Sequence, residues 1–217
     1  MKYSSLTKIM RGAAATLFSV FALLLVPSFA TAQTGNQAAD RELKLWRLFE
    51  PAGGNFRVSL PTQPVASVLP FETDYSTLDI HVFTSRTTSS GYMISYIDIA
   101  DISLKDAKAV EAAFDRVKTE IVARNPSAVP AGERKITSGR FPGRELVFDD
   151  GANNIKLQMF LVKQRGYIVE IVAPQTRNLP EALTKVYQAE ADKFFNSFQI
   201  LDNKKPEAPT KGKKTVK

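Results

Sequence analysis

Residues 155–173 read IKLQMFLVKQRGYIVEIVA, and this stretch decides the fold. Ile155 to Lys163 and Tyr167 to Ala173 are short runs rich in β-branched, aromatic and other apolar residues, joined by the glycine-containing turn Gln164-Arg165-Gly166. Pro174 closes the second run, because proline cannot donate to a ladder. The spacing predicts an antiparallel hairpin. Immediately upstream, Arg144 to Phe148 reads as another strand and Lys135 to Ser138 as a short, weak one. Further upstream, Tyr92-Met93-Ile94-Ser95-Tyr96-Ile97 is apolar on both faces, the pattern of a central strand covered on each side. It belongs to a strand running from Tyr92 to Ala100, reached from Leu78–Thr84 through the turn Ser89-Ser90-Gly91. In that preceding strand Leu78, Ile80 and Val82 share one face while Asp79, His81 and Phe83 share the other. Val65 to Glu72 is extended, and Trp46–Phe49 with Phe56–Leu60 flank Pro51-Ala52-Gly53-Gly54-Asn55, a loop whose glycines supply positive φ angles.

Two segments change to a helical period. Between Ser103 and Arg124, Val110, Ala113, Phe114, Val117 and Ile121 recur at spacings of three and four; Ser103 with Asp106 resembles a capping box, and Asn125-Pro126 ends the run. The second opens at Asn178 with Pro180 in its first turn and Glu181 three residues on. Its stripe is Leu183, Val186, Tyr187, Ala191, Phe194, Phe195 and Phe198. Many short strands with two well-separated amphipathic helices give an α+β class, a mostly antiparallel sheet with helices packed on it.

The ends of the chain carry different information. Lys2, Lys8 and Arg11, with no acid, precede an apolar run from Gly12 to Val26, and Pro27 separates it from the small-residue stretch ending Ala30-Thr31-Ala32. This layout is that of a cleavable secretory signal peptide over residues 1–32, with mature protein starting at Gln33. Its core is shorter than the ~20 residues that span a bilayer, so no transmembrane segment is expected after processing. Residues 33–43 read as a disordered lead-in, 44–201 as a single α+β domain, and 202–217 as a disordered lysine-rich tail with Val216 as its only large apolar residue. The expected location is periplasmic or secreted.

The formal charge of +7 suggests nucleic acid until it is divided along the chain. The leader holds three cations and no acid, and the tail holds six lysines against Asp202 and Glu207, which leaves 20 cations and 20 acids between them. The domain therefore has no compositional footprint for nucleic acid. The absence of cysteine excludes disulfides, thiol nucleophiles and thiolate metal sites.

Few residues suggest chemistry. His81, the only histidine, lies next but one to Asp79 on the same strand face, so a hydrolase would have to use this pair; no G-x-S-x-G elbow is present to supply a serine. Asp149 to Asn154 is oxygen-rich around Gly151 but lacks the glutamate an EF-hand loop needs, and reads as a hairpin turn. Gly139-Arg140-Phe141-Pro142-Gly143-Arg144 has no following helix to bind phosphate and reads as a proline-glycine turn. Trp46, Phe49, Tyr92 and Tyr96 read as core aromatics rather than as a ligand pocket. No catalytic, cofactor-binding or metal-binding residue and no cofactor is assigned.

Taken together, Phe56-x-Val58-x-Leu60-Pro61-x-x-Pro64 after a glycine-rich turn, a long helix, Gly143-Arg144-Glu145-Leu146, a strand ending Leu161-Val162, Arg165-Gly166-Tyr167-Ile168-Val169, and Phe194-Phe195-Asn196-Ser197-Phe198 resemble the PsbP-like superfamily. The resemblance spans roughly Trp46 to Leu201 and rests on fold-determining positions. It implies an α/β/α sandwich and members that bind other proteins without catalysis. The resulting expectation is an exported, non-catalytic envelope protein that binds or stabilises a protein partner. The alternatives are a carrier of a small apolar ligand and, third, a hydrolase using His81 and Asp79. The tail is expected to make at most weak electrostatic contact with an anionic surface.

Overall fold

The computed structural model describes residues 46–72, 77–99, 106–177 and 179–201. The segments read as a signal peptide, a lead-in and a lysine-rich tail, together with Ser103 and Asn178, lie outside the described residues.

Among the described residues, ten strands and two helices follow one another along the chain. The strands are β1 (Arg47–Phe49), β2 (Phe56–Leu60), β3 (Val65–Glu72), β4 (Thr77–Arg86) and β5 (Gly91–Asp98), after which comes helix α1 (Ala107–Arg124). Then follow β6 (Val129–Ser138), β7 (Phe141–Asp149), β8 (Asn153–Val162), β9 (Arg165–Pro174), helix α2 (Glu181–Ser197) and β10 (Gln199–Ile200). Seven strands build one sheet in the order β3-β4-β5-β9-β8-β7-β6, every neighbouring pair antiparallel. A smaller sheet, β1-β2-β10, contains the first hairpin, registered Arg47 to Leu60. The decisive hairpin pairs Ile155 with Val172 and Val162 with Arg165, turning through Lys163 at φ 55°.

The period-2 pattern of the central strands makes both faces apolar, and each face carries its own core. On one, Val110, Phe114, Val117 and Ile121 of α1 meet Ile80, Val82, Met93, Ile97, Leu157 and Ile168. On the other, Phe194, Phe195 and Phe198 meet Tyr92, Ile94, Tyr167 and Val169, joined by Phe56, Val58 and Leu60 of the small sheet. The architecture is therefore an α/β/α sandwich, and Tyr92 to Ile97 is the doubly covered strand that its sequence indicates.

Several boundaries differ from the sequence reading, each for a local reason. Asp106 is itself the N-cap of α1, its Oδ1 accepting from Lys108 N and Ala109 N at 2.9 and 3.3 Å, so the helix starts later than Ser103. Helix α2 starts at Glu181, with Pro180 as a cap lacking a side-chain hydrogen bond. The short, weak strand near Lys135 is a ten-residue edge strand, exposed along most of its length and hence without an alternating pattern. The turn before β7 is Gly139-Arg140, with Gly139 at φ 59°, whereas Pro142 and Gly143 lie inside the strand.

Gly143 has a steric reason to be glycine. A Cβ there would sit 2.5 Å from Phe160 Cδ1 and 2.6 Å from the Met159 carbonyl oxygen. The Phe160 ring is stacked on Phe198 at 5.7 Å and cannot easily retreat. Gly143→Ala is expected to destabilise the fold by about 1–3 kcal/mol through overpacking; an unchanged denaturant midpoint would show that the strands accommodate the methyl.

Candidate functional site

His81 and Asp79 do not form a dyad. The His81 ring stacks on Tyr96 at 4.5 Å with planes 12° apart, and Asp79 is exposed opposite Pro70 near the β3 margin. Val68, His81, Tyr96, Tyr167 and Phe160 are successive cross-strand partners, so the histidine belongs to a row running from the free edge into the aromatic core. Arg165 lies over Tyr96 at 4.3 Å and binds Asp98 through two nitrogens. That ion pair, first of all the hydrogen bond from Arg165 to Asp98, holds the guanidinium well above its ordinary range. Arg165 also donates to the carbonyl of Gly53 at 2.6 Å, tying the first hairpin to the main sheet.

The oxygen-rich loop consumes its own acceptors. Asp149 Oδ1 accepts from Gly151 N at 2.8 Å, and Asp150 Oδ1 accepts from Ala152 N and Asn153 N at 2.9 and 2.6 Å. These are turn contacts, with Gly151 at φ 91°. Arg140 and Arg144 diverge as well. Arg144 is buried, pairs with Glu111, Asp115 and Glu133, and packs on Phe114, which clamps α1 to the sheet; Arg140 is exposed beside Phe141. Tyr92 and Tyr96 are buried and Trp46 and Phe49 half-buried against the same core.

Two buried glutamates escaped the sequence reading. Glu190, on α2, accepts hydrogen bonds from Ser90 Oγ and Tyr92 Oη, each at 3.0 Å. This is a satisfied buried polar contact that fixes the helix on the sheet. Burial above all, reinforced by the Glu190 charge, pushes the Tyr92 hydroxyl far above its usual range.

Glu170 differs. It interrupts the run Tyr167-Ile168-Val169-Glu170-Ile171-Val172, on the central strand β9 between Met93 and Leu157, on the α1 face. It is 6% exposed. Among the described residues it has no hydrogen-bond or ion-pair partner, and desolvation pushes its carboxyl up to about 7. It lines a cavity of about 50 Å³ at the C-terminal end of α1. Ile121, Phe148, Leu157 and Val172 form apolar walls; Asn125, Ser127 and Asp150 add polar ones. A charged residue inside an otherwise apolar, doubly covered strand was the signal for this site. The run's apolar character indicated a strand but not what the odd residue faces.

The edges of the large sheet are also unlike each other. On β3, Val65 and Val68 are 69% and 52% exposed, and Val65 to Phe71 contains no charged residue. On β6, Pro130 and a register shift before Gly132 interrupt the ladder, and Glu133, Arg134 and Lys135 pair with Lys118, Glu145 and Glu111.

Among the described residues, no helix is long and apolar enough to cross a membrane. No family model matches the chain and no curated protein matches it in sequence. Among solved structures it is similar to the solution structure of cyanobacterial PsbP from Synechocystis sp. PCC 6803, at 11% identity and a TM-score of 0.48, over 78% of this chain and 98% of that one. It is also similar to a protein of unknown function from Pseudomonas aeruginosa, at 12% identity and a TM-score of 0.34, over 57% and 93% of the two chains. At these identities and TM-scores neither likeness assigns the chain a family or a role.

Proposed function

We propose that the chain is an exported, non-catalytic envelope protein that binds a protein partner by strand addition at β3. The contrast between the two sheet edges supports this reading. A free edge offers unpaired backbone groups to any extended chain, and proteins ordinarily blunt it with charge, proline, bulges or cover. The β6 edge carries charge, a proline and a register shift, while Val65 to Phe71 carries only Pro70. Val68 stands beside His81 and Tyr96, which would offer a partner strand side-chain contacts next to the ladder. A carrier of an apolar ligand is less well supported. The cavities lined by α1 side chains are about 10 and 50 Å³, against several hundred Å³ for typical ligand pockets. Export, and with it a periplasmic or secreted location, rests on the N-terminal segment.

The test is retention of envelope proteins by immobilised wild type and by a Val65→Lys/Val68→Lys variant. Both side chains are exposed, so the variant should keep its melting temperature yet retain a specific partner about tenfold less, on the order of 1.4 kcal/mol. Val129→Lys on β6 serves as the matched control. A partner lost from the β6 variant and kept by the β3 variant would contradict the proposal.

The lysine tail adds a second, weaker contact in this reading. Lys204, Lys205, Lys211, Lys213, Lys214 and Lys217 would each contribute about 1 kcal/mol near an anionic surface, within a Debye length of about 8 Å. Deleting residues 203–217 should leave the melting temperature unchanged while lowering binding to anionic vesicles at low salt. Equal vesicle binding by both forms would remove this part of the reading.

A further inference from the structure

The cavity beside Glu170 has a composition that selects for one kind of ligand. Glu170 stands in the middle of the sheet, held there by strand register, and as a residue is more than nine-tenths buried with no partner among the described residues. A buried polar group without a partner is uncommon and costly, and its persistence calls for an explanation. The satisfied Glu190 shows that this fold does pair a buried carboxylate where pairing is its only task.

The surroundings are electrically one-sided. Asp150 is the one other titratable side chain on the wall, its Oδ1 held by the backbone N–H groups of Ala152 and Asn153 and its Oδ2 by the Asn153 side chain. From α1 come Ile121 and Asn125, the C-cap, so the negative end of the helix dipole also points here. The walls contributed by β7, β8 and β9 are apolar apart from Glu170, and no cationic side chain lines the space. Anions are therefore excluded. A metal ion is disfavoured too, since hard cations gather six or more oxygens and no group of three acidic or histidine side chains able to hold a metal ion occurs among the described residues. An ammonium group needs only a few acceptors and tolerates apolar and aromatic neighbours such as Phe148.

We propose that this cavity is a binding site for the primary ammonium head of a small organic amine, with Glu170 as its counter-ion and Asn125 and Ser127 as flanking acceptors. The volume of about 50 Å³ is far below the several hundred Å³ of a typical ligand pocket, which suits the head and first carbons of a small amine. The site lies on the α1 face, away from the β3 edge, and stands or falls independently of the partner proposal. Burial favours the neutral acid, so an ammonium ion and the ionised carboxyl stabilise each other, and binding should weaken as Glu170 takes up a proton.

Ethylammonium chloride is the probe, titrated into the full mature chain and followed by backbone amide NMR shifts at Asn125, Ser127 and Glu170. At about pH 8 the shifts should saturate with a millimolar constant, and at about pH 5 affinity should fall by at least about tenfold. Glu170→Gln keeps the shape and removes the charge, and should lose the response at both pH values. Sodium chloride and calcium chloride at matched ionic strength should not reproduce the shifts. The proposal is overturned by an equal response in Glu170→Gln, by equal shifts with sodium or calcium, or by no saturation with ethylammonium.

Discussion

Phe194→Ala is expected to destabilise the fold by about 3–5 kcal/mol, enough to lower the melting temperature by roughly 6–20 °C or to abolish soluble expression. The phenyl ring is fully buried and meets Tyr92 edge-on at 5.2 Å and Phe195 at 5.3 Å. It is also the apolar complement of Glu190, one turn earlier on α2, so its loss would loosen the face that carries the buried carboxylate. Since a domain is held by only about 5–15 kcal/mol, a single truncation here removes a large share. Leu183→Ala, on a half-buried position of the same stripe, should cost much less. Chemical denaturation of the two variants decides the matter. Equal midpoints for Phe194→Ala and wild type would mean that α2 does not pack as described.

Glu170→Gln should have the opposite sign at neutral pH. The buried carboxyl titrates at about 7 against an ordinary 4.5. In that window the folded chain keeps a proton that the unfolded chain releases. The stabilising effect of the neutral acid is thus complete below the ordinary value and is lost as pH rises to about 7. At about 1.4 kcal/mol per pH unit, the cost of ionising it in place reaches about 3 kcal/mol. A neutral amide carries no such term, although it brings an NH2 that must find an acceptor, for which the cavity offers Asn125 and Ser127. The difference in stability between variant and wild type should therefore grow by about 3 kcal/mol from pH 4.5 to 8, in favour of the variant. Other carboxylates such as Glu111, held low chiefly by its hydrogen bond from Lys135, affect both proteins alike and cancel in the difference. Parallel stability curves across this range would show that Glu170 finds a partner in solution.

How far the sequence could be read depended on whether its pattern was local. The hairpin at residues 155–173 and the doubly covered strand at Tyr92 to Ile97 were legible because alternation and turn residues are properties of neighbours along the chain. The aromatic stripe of α2 was legible for the same reason, and its three phenylalanines are buried. Strand β6 looked weak because an edge strand exposed on both sides has no burial to imprint a pattern on it. Strand β10, two residues long, exists only through its pairing with β2 at a separation no local pattern encodes. The site was legible only in part. His81 was the visible candidate, and it stacks on Tyr96 instead of meeting Asp79 as a partner. Glu170 was passed over, because its meaning depends on the end of α1 and the β7–β8 loop converging over it, which is long-range geometry.

The account's central functional claim is that β3 is the edge a partner strand joins, and amide hydrogen exchange on the complex with the retained envelope protein tests it most directly. Backbone amides of Val65 to Phe71 that point away from β4, Pro70 having none, should gain protection on binding, because a new ladder sequesters the groups that an edge leaves to water, while those of Gly132 to Thr137 on β6 should exchange as in the free protein. Protection appearing on β6, with β3 unchanged, would contradict it.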